Sequence, residues 1–223
     1  MSGVARPTRA LREGPLRLAV PRGALFAGTL DRLDRIGVDT GELRGQSRSL
    51  VFESGGLVLV TMRPSDVPTY VEAGAADLGI TGKDVLMERS DRAFYELLDL
   101  GYGGCRMVLA APASGDHVDE HERRLGAVRI ATKYPRIAER FFEETGRRAE
   151  VIEVKGSVEL APVSGLADAI VDLVDTGRTL RENGLEVREE IAASTARLIA
   201  NRVAHKLRAA EIDELAGRLA AGS

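Results

Sequence analysis

Short apolar runs alternate with amphipathic stretches through most of this chain, and that alternation constrains the fold more tightly than any single motif. LRLAV (16–20) precedes ALFAGTLDRLDRIG, LVLVTM (57–62) precedes SDVPTYVEAG, and DLGIT (77–81) precedes GKDVLMERS. The second half repeats the theme with RMVLAAP (106–112), VRIAT (128–132) followed by YPRIAERFFEETG, AEVIEV (149–154) and DAIVDLV (168–174). Short apolar runs suit buried strands, and the stretches between them carry apolar residues at helical spacing. Strand and helix in repetition predict an α/β fold with helices on the faces of a sheet. There is no repeat of fixed period, low-complexity tract or heptad seam to support another architecture.

A chain of 223 residues, 44% of them hydrophobic, can hold one large domain or two lobes with cores of their own. The stretch near Gly101–Gly104, where LLDLGYGGC leaves the first group of elements, is the expected outward crossing. The chain should return near 187–190, so that TARLIANRVAHKLRAAEIDELAGRLAA closes the first lobe. The expected division is therefore 1–104 plus 189–223 for one lobe and 105–188 for the other. ASGDHVDEHERRLG (113–126) is polar and reads as a surface excursion. Two α/β lobes joined by two crossovers leave a cleft, and ligands of such folds bind at strand C-terminal ends.

Thirty-one Lys and Arg against 34 Asp and Glu give a net charge of −3, so bulk electrostatics favour neither nucleic acid nor an acidic membrane. Any anion chemistry must be local. One cysteine excludes an internal disulfide, and with three histidines it cannot close a structural zinc site. No apolar run is long enough for a membrane span and MSGVARPTRALREG lacks a signal-peptide core, so a cytoplasmic protein is expected.

The chemistry concentrates in DAIVDLVDTGRTL (168–180). By alternation Asp168, Ile170, Asp172 and Val174 share one strand face. Buried carboxylates need cationic or hydrogen-bonding partners. The turn that follows, Asp175, Thr176, Gly177, Arg178 and Thr179, opens a helix; its backbone N–H groups and two hydroxyls make a phosphate cup, with Arg178 as counter-charge. An ordinary strand-to-helix turn with Thr as N-cap accounts for the same residues. A phosphate cup beside acids is what a phosphorylated sugar needs, with Asp172 near the strand end for the hydroxyls. Asp168, at the strand entry, is expected as a solvated cap. Glu159, in the turn VKGSVELAP, is a candidate second acid, or part of a plain connector.

In the first half AVPRGAL, MRPSDVPTY and GITGKDVL each end a strand in a polar turn and begin a helix, presenting Arg22, Arg63 and Lys83. Three such turns point to a polyanionic ligand. Cys105 reads as a small core residue, His117 and His121 as a solvated face rather than a metal pinch, and His205 as an ordinary helix residue.

In sequence order, RPSDVPTYVEAGAADLGITGKDVL, ELLDLGYGGCRMVLA, ATKYPRIAERFF, GSVELAP and GLADAIVDLVDTGRTLRENGL resemble the ATP phosphoribosyltransferase family, over Leu16 to about Val203. The resemblance implies two lobes like a type II periplasmic binding protein, with the active site in the cleft between them. It implies transfer of phosphoribose from phosphoribosyl pyrophosphate to N1 of ATP adenine, with pyrophosphate leaving, as the first step of histidine biosynthesis. The family's 5′-phosphate loop falls on Asp175 to Thr179 and its acid on Asp172, with Glu159 as the second sugar acid. Its pyrophosphate cations fall on Arg22 and Arg48, and Mg²⁺ is the expected cofactor, carried by substrate rather than by a side-chain metal site. Arg63, Thr81, Lys83 and Tyr134 are candidates for contact with ATP; Tyr134 equally suits the cap of a helix starting at Pro135. Lobe closure would exclude water.

One departure stands out. The family turn often reads Pro-Lys-Gly-Arg-Leu, where this chain has Pro-Arg-Gly-Ala-Leu, so Ala24 replaces a cation. The length resembles the short form, which lacks a histidine-binding domain. That implies a homodimer within a hetero-oligomer with a regulatory subunit related to histidyl-tRNA synthetase. The rival readings are a non-catalytic anion-binding module of the same fold and a family member that has lost activity. The acids before DTGRTL argue against the first, and the intact loop argues against the second.

Overall fold

The computed structural model describes residues 14–45, 49–89, 93–114, 123 and 126–221. Two units make up the chain. The first comprises the chain up to Leu86, the stretch ending at Gly103 and everything from Thr195; the second comprises Gly104–Ser194 with a short stretch beginning at Met87.

With strands numbered along the whole chain, the first unit holds β1 (Leu16–Pro21), β2 (Val51–Ser54), β3 (Leu57–Met62), β4 (Leu78–Gly82), β5 (Phe94–Asp99) and β11 (Ala196–Asn201). Among the described residues they form one sheet in the order β2-β3-β1-β4-β11-β5. The central strands β3, β1 and β4 run parallel, and β2, β11 and β5 join antiparallel. Leu18 and Val20 of β1 enter one core with Leu59, Leu78 and Leu198, while Ala19 enters another with Val67, Val71 and Ile199. Burial on both faces is why these strands read as continuous apolar runs.

Helix α1 (Phe26–Arg35) supplies Leu30 and Leu33 to the first core, and the C-terminal helix α9 (Ala209–Ala221) adds Ile212, Leu215 and Leu219. A single turn, α2 (Gly41–Arg44), ties back through Arg44 to Asp31 and Asp34. The opposite face is covered by α3 (Val67–Glu72). Gly79 on β4 makes that packing possible, since a Cβ there would lie 2.4 Å from Val67 Cγ1. Helix α4 (Lys83–Glu88) follows β4 directly, and α8 (Arg202–Leu207) follows β11. Asn201 caps α8 by accepting the Val203 and Ala204 N–H groups, each at 2.9 Å.

The second unit holds β6 (Cys105–Pro112), β7 (Val128–Thr132), β8 (Ala149–Glu153), β9 (Ala169–Val174) and β10 (Leu185–Ser194), with described strands in the order β10-β6-β9-β7-β8. Strands β8, β7 and β9 are parallel; β6 and β10 are antiparallel additions. Helix α5 (Pro135–Glu144) packs Ile137, Ala138 and Phe142 on one face with Ile130, Ala169 and Val171. The other face carries Ala131, Ile170 and Val174 with Ala161 of the short α6 (Leu160–Val163) and Leu180 of α7 (Arg178–Glu182). The unit continues to Ser194, past the boundary expected near residue 188, because β10 keeps pairing with β6 as far as Cys105.

Asp168 is not a solvated cap. Its side chain is only 4% exposed, and it accepts the Arg129 backbone N–H at 2.9 Å and the guanidinium at 2.7 Å. It is the buried partner that ties the entry of β9 to β7, and it lies at the strand end opposite the 175–179 turn. Cys105 opens β6 and is half-buried rather than a full core residue. His117 and His121 lie outside the described residues.

Candidate active site

In the second unit the C-terminal ends of three parallel strands meet along one sheet edge. Thr132 of β7 is in register with Val171 of β9 and with Glu153 of β8. Lys133 and Tyr134, the 154–159 turn, Asp172 and the 175–179 loop therefore share that edge. Alternation places Asp172 on the face of Ile170 and Val174, the face covered by α6, and Glu159 stands at the N-terminus of that helix.

Asp172 is half-buried and accepts the N–H of Leu173 at 2.9 Å. Burial pushes its pKa up, and the charge of Glu159 adds to the rise, while the Leu173 N–H and the charge of Lys133 oppose it. A carboxylate kept ionisable here against desolvation can accept hydrogen bonds from sugar hydroxyls. Glu159 is itself half-buried.

The loop after β9 turns at Gly177, whose φ of 71° is left-handed, a conformation that favours glycine. Asp175, Thr176, Arg178 and Thr179 are exposed, and the Arg178 N–H reaches Thr176 Oγ1 at 3.4 Å. Arg178 pairs with Glu182 at 2.7 Å, both side chains largely in solvent. An exposed pair of that kind is worth under about 1 kcal/mol, so Arg178 can leave it at little cost. Arg181, also exposed, donates to the Thr176 carbonyl and braces the loop.

The first unit repeats the arrangement. The ends of parallel β1, β3 and β4 bring Arg22, Arg63 and Lys83 to one edge, where the Arg22 N–H bonds the Met62 carbonyl at 2.8 Å. Arg22 donates to Thr61 Oγ1 at 3.1 Å and lies over the Phe26 ring at 5.4 Å. Its Nε is buried without a hydrogen-bond partner, which is rare for a settled guanidinium. The Nε of Arg197 is in the same state, although its terminal nitrogens pair with Glu96 and Asp99. Arg63 is exposed at the turn. Thr81 is buried and its hydroxyl donates to the Pro64 carbonyl at 2.8 Å, while Lys83 pairs with Glu96 at 2.8 Å. These two side chains thus hold the turns in place. Arg48 lies outside the described residues.

Tyr134 precedes α5, but its side chain does not cap the helix. Glu88 takes that role, accepting the Arg136 and Ile137 N–H groups at 3.0 Å each. Its pKa is raised by burial, against the opposing pull of those two N–H groups. Nothing in its local sequence signals a cap for a helix nearly fifty residues on. Lys133 is the other residue that motif reading passed over; its neighbours Thr132 and Tyr134 are the conspicuous ones, yet its charge is felt at Asp172.

The profile of the ATP phosphoribosyltransferase family matches residues 63–221. The chain belongs to this family. An ATP phosphoribosyltransferase of Rubrobacter xylanophilus is 56% identical over 200 residues, covering 88% of this chain and 91% of that one. One from Symbiobacterium thermophilum is 51% identical over 210 residues, covering 92% and 93%. Among solved structures, the ATP phosphoribosyl transferase (HisG:HisZ) complex from Thermotoga maritima superposes with a TM-score of 0.78 at 36% identity, over 93% of this chain and 98% of its counterpart. The periplasmic aliphatic sulphonate binding protein of Escherichia coli superposes at 0.59 with 13% identity, over 95% and 73%. That likeness is one of fold: the type II periplasmic-binding-protein architecture, here in an ATP phosphoribosyltransferase. Among the described residues no helix is long and apolar enough to cross a membrane.

Proposed function

We infer that this chain carries out its family's reaction, transferring 5-phosphoribose from phosphoribosyl pyrophosphate to N1 of ATP adenine and releasing pyrophosphate, the first step of histidine biosynthesis. The supporting observation is the second-unit edge, where a half-buried Asp172 beside Glu159 adjoins an exposed Thr-Gly-Arg-Thr turn with Gly177 left-handed. In this reading the N–H groups and hydroxyls of Thr176 to Thr179 take the 5′-phosphate, with Arg178 leaving Glu182 to join them. Asp172 and Glu159 take the ribose hydroxyls.

The chemistry needs charge placement more than a proton donor or acceptor. As adenine N1 approaches the anomeric carbon, positive charge builds on the ribose ring and negative charge on the departing oxygens. Asp172 and Glu159 favour the first, and Arg22, with Arg48, the second. Arg22 suits the task because its guanidinium is held at the strand edge by Thr61 and Phe26. ATP falls to the first-unit turns, with Arg63 as the exposed cation and Thr81 and Lys83 bracing the turns; Tyr134 is a further candidate contact.

No cluster of three metal-ligating side chains occurs among the described residues. Asp172 with Glu159 is a two-carboxylate set, which fits Mg²⁺ when substrate phosphates and water supply the other oxygens. The cation would be carried in by the substrate's phosphates, with those two acids facing the sugar, and when bound it would supply neutralisation of the pyrophosphate charge.

The name of the Thermotoga maritima assembly, a HisG:HisZ complex, supports a further part of the reading, that this chain works in a hetero-oligomer with a regulatory subunit. Inhibition by histidine would then require the partner.

The test is calorimetric titration of phosphoribosyl pyrophosphate, with Mg²⁺, into the unsubstituted chain and a Thr176→Ala, Thr179→Ala double variant. Removing two phosphate hydroxyls is expected to weaken binding at least tenfold, since each hydrogen bond to a charged group contributes about 1.5–3 kcal/mol. Equal affinities would remove the phosphate from this loop.

A further inference from the structure

The proposed reaction leaves one charge unaccounted for in the second unit. Phosphoribosyl pyrophosphate carries its diphosphate on C1, one carbon from the 2-hydroxyl. With the 5′-phosphate in the 175–179 loop and the hydroxyls at Asp172, the C1 oxygen lies within a few ångströms of that acid. Whatever cation stands next to Asp172 stands next to the leaving group.

Lys133 stands there. It follows Thr132, whose register partner is Val171, so it comes level with Asp172 on the adjacent parallel strand. β7 ends at Thr132, so Lys133 is the first residue past the strand end, beside the end of β9 that carries Asp172. It is exposed, and among the described residues its ammonium has no hydrogen bond or ion pair, although its charge reaches Asp172.

Other cations of this edge are engaged. Arg178 pairs with Glu182, Arg181 donates to the Thr176 carbonyl, and Arg129 pairs with Asp168 at the far end of the strand. Lys155, in the neighbouring turn, does not figure among the charges felt at Asp172.

We propose that Lys133 is a catalytic residue of this chain, donating N–H···O bonds to the diphosphate on C1 of the phosphoribosyl donor as it departs. The proposal rests on the phosphoribosyl reading of the second-unit edge given above. The N1 lone pair forms the new bond to C1 while the C1–O bond breaks, its electron pair passing to the diphosphate. Lys133 meets the added negative charge without giving up its proton.

The experiment compares the full chain with Lys133→Met and Lys133→Arg, by calorimetry with Mg²⁺ and three probes: phosphoribosyl pyrophosphate, inorganic pyrophosphate and ribose 5-phosphate. Turnover is followed in parallel. Lys133→Met is expected to weaken both diphosphate probes about tenfold or more and to lower kcat about 10- to 100-fold, the range for removing a charged donor from a developing anion. Ribose 5-phosphate, which has no diphosphate, should bind within about twofold of the unsubstituted chain, and Lys133→Arg should restore most of the loss. Because the side chain is exposed, both variants should melt with the parent.

Unchanged diphosphate affinity and kcat in Lys133→Met would overturn the assignment. So would an equal loss for ribose 5-phosphate, which would mean that Lys133 acts only by keeping Asp172 charged. A parent chain that binds phosphoribosyl pyrophosphate and turns over while Lys133→Met is unaffected defeats this proposal alone. A parent that does neither defeats the underlying phosphoribosyl reading and this proposal with it.

Discussion

Asp172→Asn is expected to lower turnover about 10²- to 10³-fold, the scale for deleting one preorganised charged contact at a transition state, without lowering the melting temperature. The two halves of that expectation have one physical source. Burial raises the Asp172 pKa in the folded chain, so ionisation there is less favourable than in the unfolded chain. Below the ordinary carboxylate range both states are protonated and the difference vanishes. As pH rises the unfolded chain ionises first, and stability falls until the folded group also ionises; above that point the full penalty remains. The neutral Asn never incurs it. The variant should therefore match or exceed the parent in stability at neutral pH, with the advantage shrinking as the solution is acidified through the carboxylate range. Thermal melts at several pH values, beside kcat/KM for phosphoribosyl pyrophosphate, check both halves. A variant that keeps full activity, or one that loses activity only because it unfolds, would contradict the role given to Asp172.

Arg22→Met should cost a comparable factor, about 10²-fold or more in kcat, with a different signature. Asp172 acts on the sugar, so its loss should appear in every ligand that carries the ribose. Arg22 acts on the leaving diphosphate, so its loss should spare ribose 5-phosphate and weaken inorganic pyrophosphate. The stability cost should be small, about 1 kcal/mol for the hydrogen bond to Thr61, because Met refills much of the stem packing against Phe26. Product inhibition by pyrophosphate is the sharpest readout: the inhibition constant should rise in Arg22→Met and stay near the parent value in Asp172→Asn. A pyrophosphate constant unchanged by Arg22→Met would remove that side chain from the leaving-group site.

Much of the architecture was legible because the parallel strands are buried from both sides. β1, β3, β4, β7 and β9 therefore announce themselves as apolar runs, each ending in the polar turn that carries a candidate ligand. The turn after β9 was legible for a local reason: Gly177 in Thr-Gly-Arg-Thr has a left-handed conformation and exposed neighbours. What escaped reading depends on distant partners. β10 carries Glu186, Arg188, Glu189 and Glu190 and shifts register twice against β6, so neither an apolar run nor a clean alternation marks it. Asp168 looked like a solvated cap because its partner Arg129 lies 39 residues away. Lys133 looked ordinary beside Tyr134, since only strand pairing brings it level with Asp172.

The measurement that tests the account most directly is a continuous ultraviolet absorbance assay of the purified chain with ATP, phosphoribosyl pyrophosphate and Mg²⁺, with inorganic pyrophosphatase present, run beside Asp172→Asn. Adduct formation by the parent is expected, with near-complete loss in the variant. Equal rates from the two chains, or no adduct from the parent, would contradict the phosphoribosyl reading.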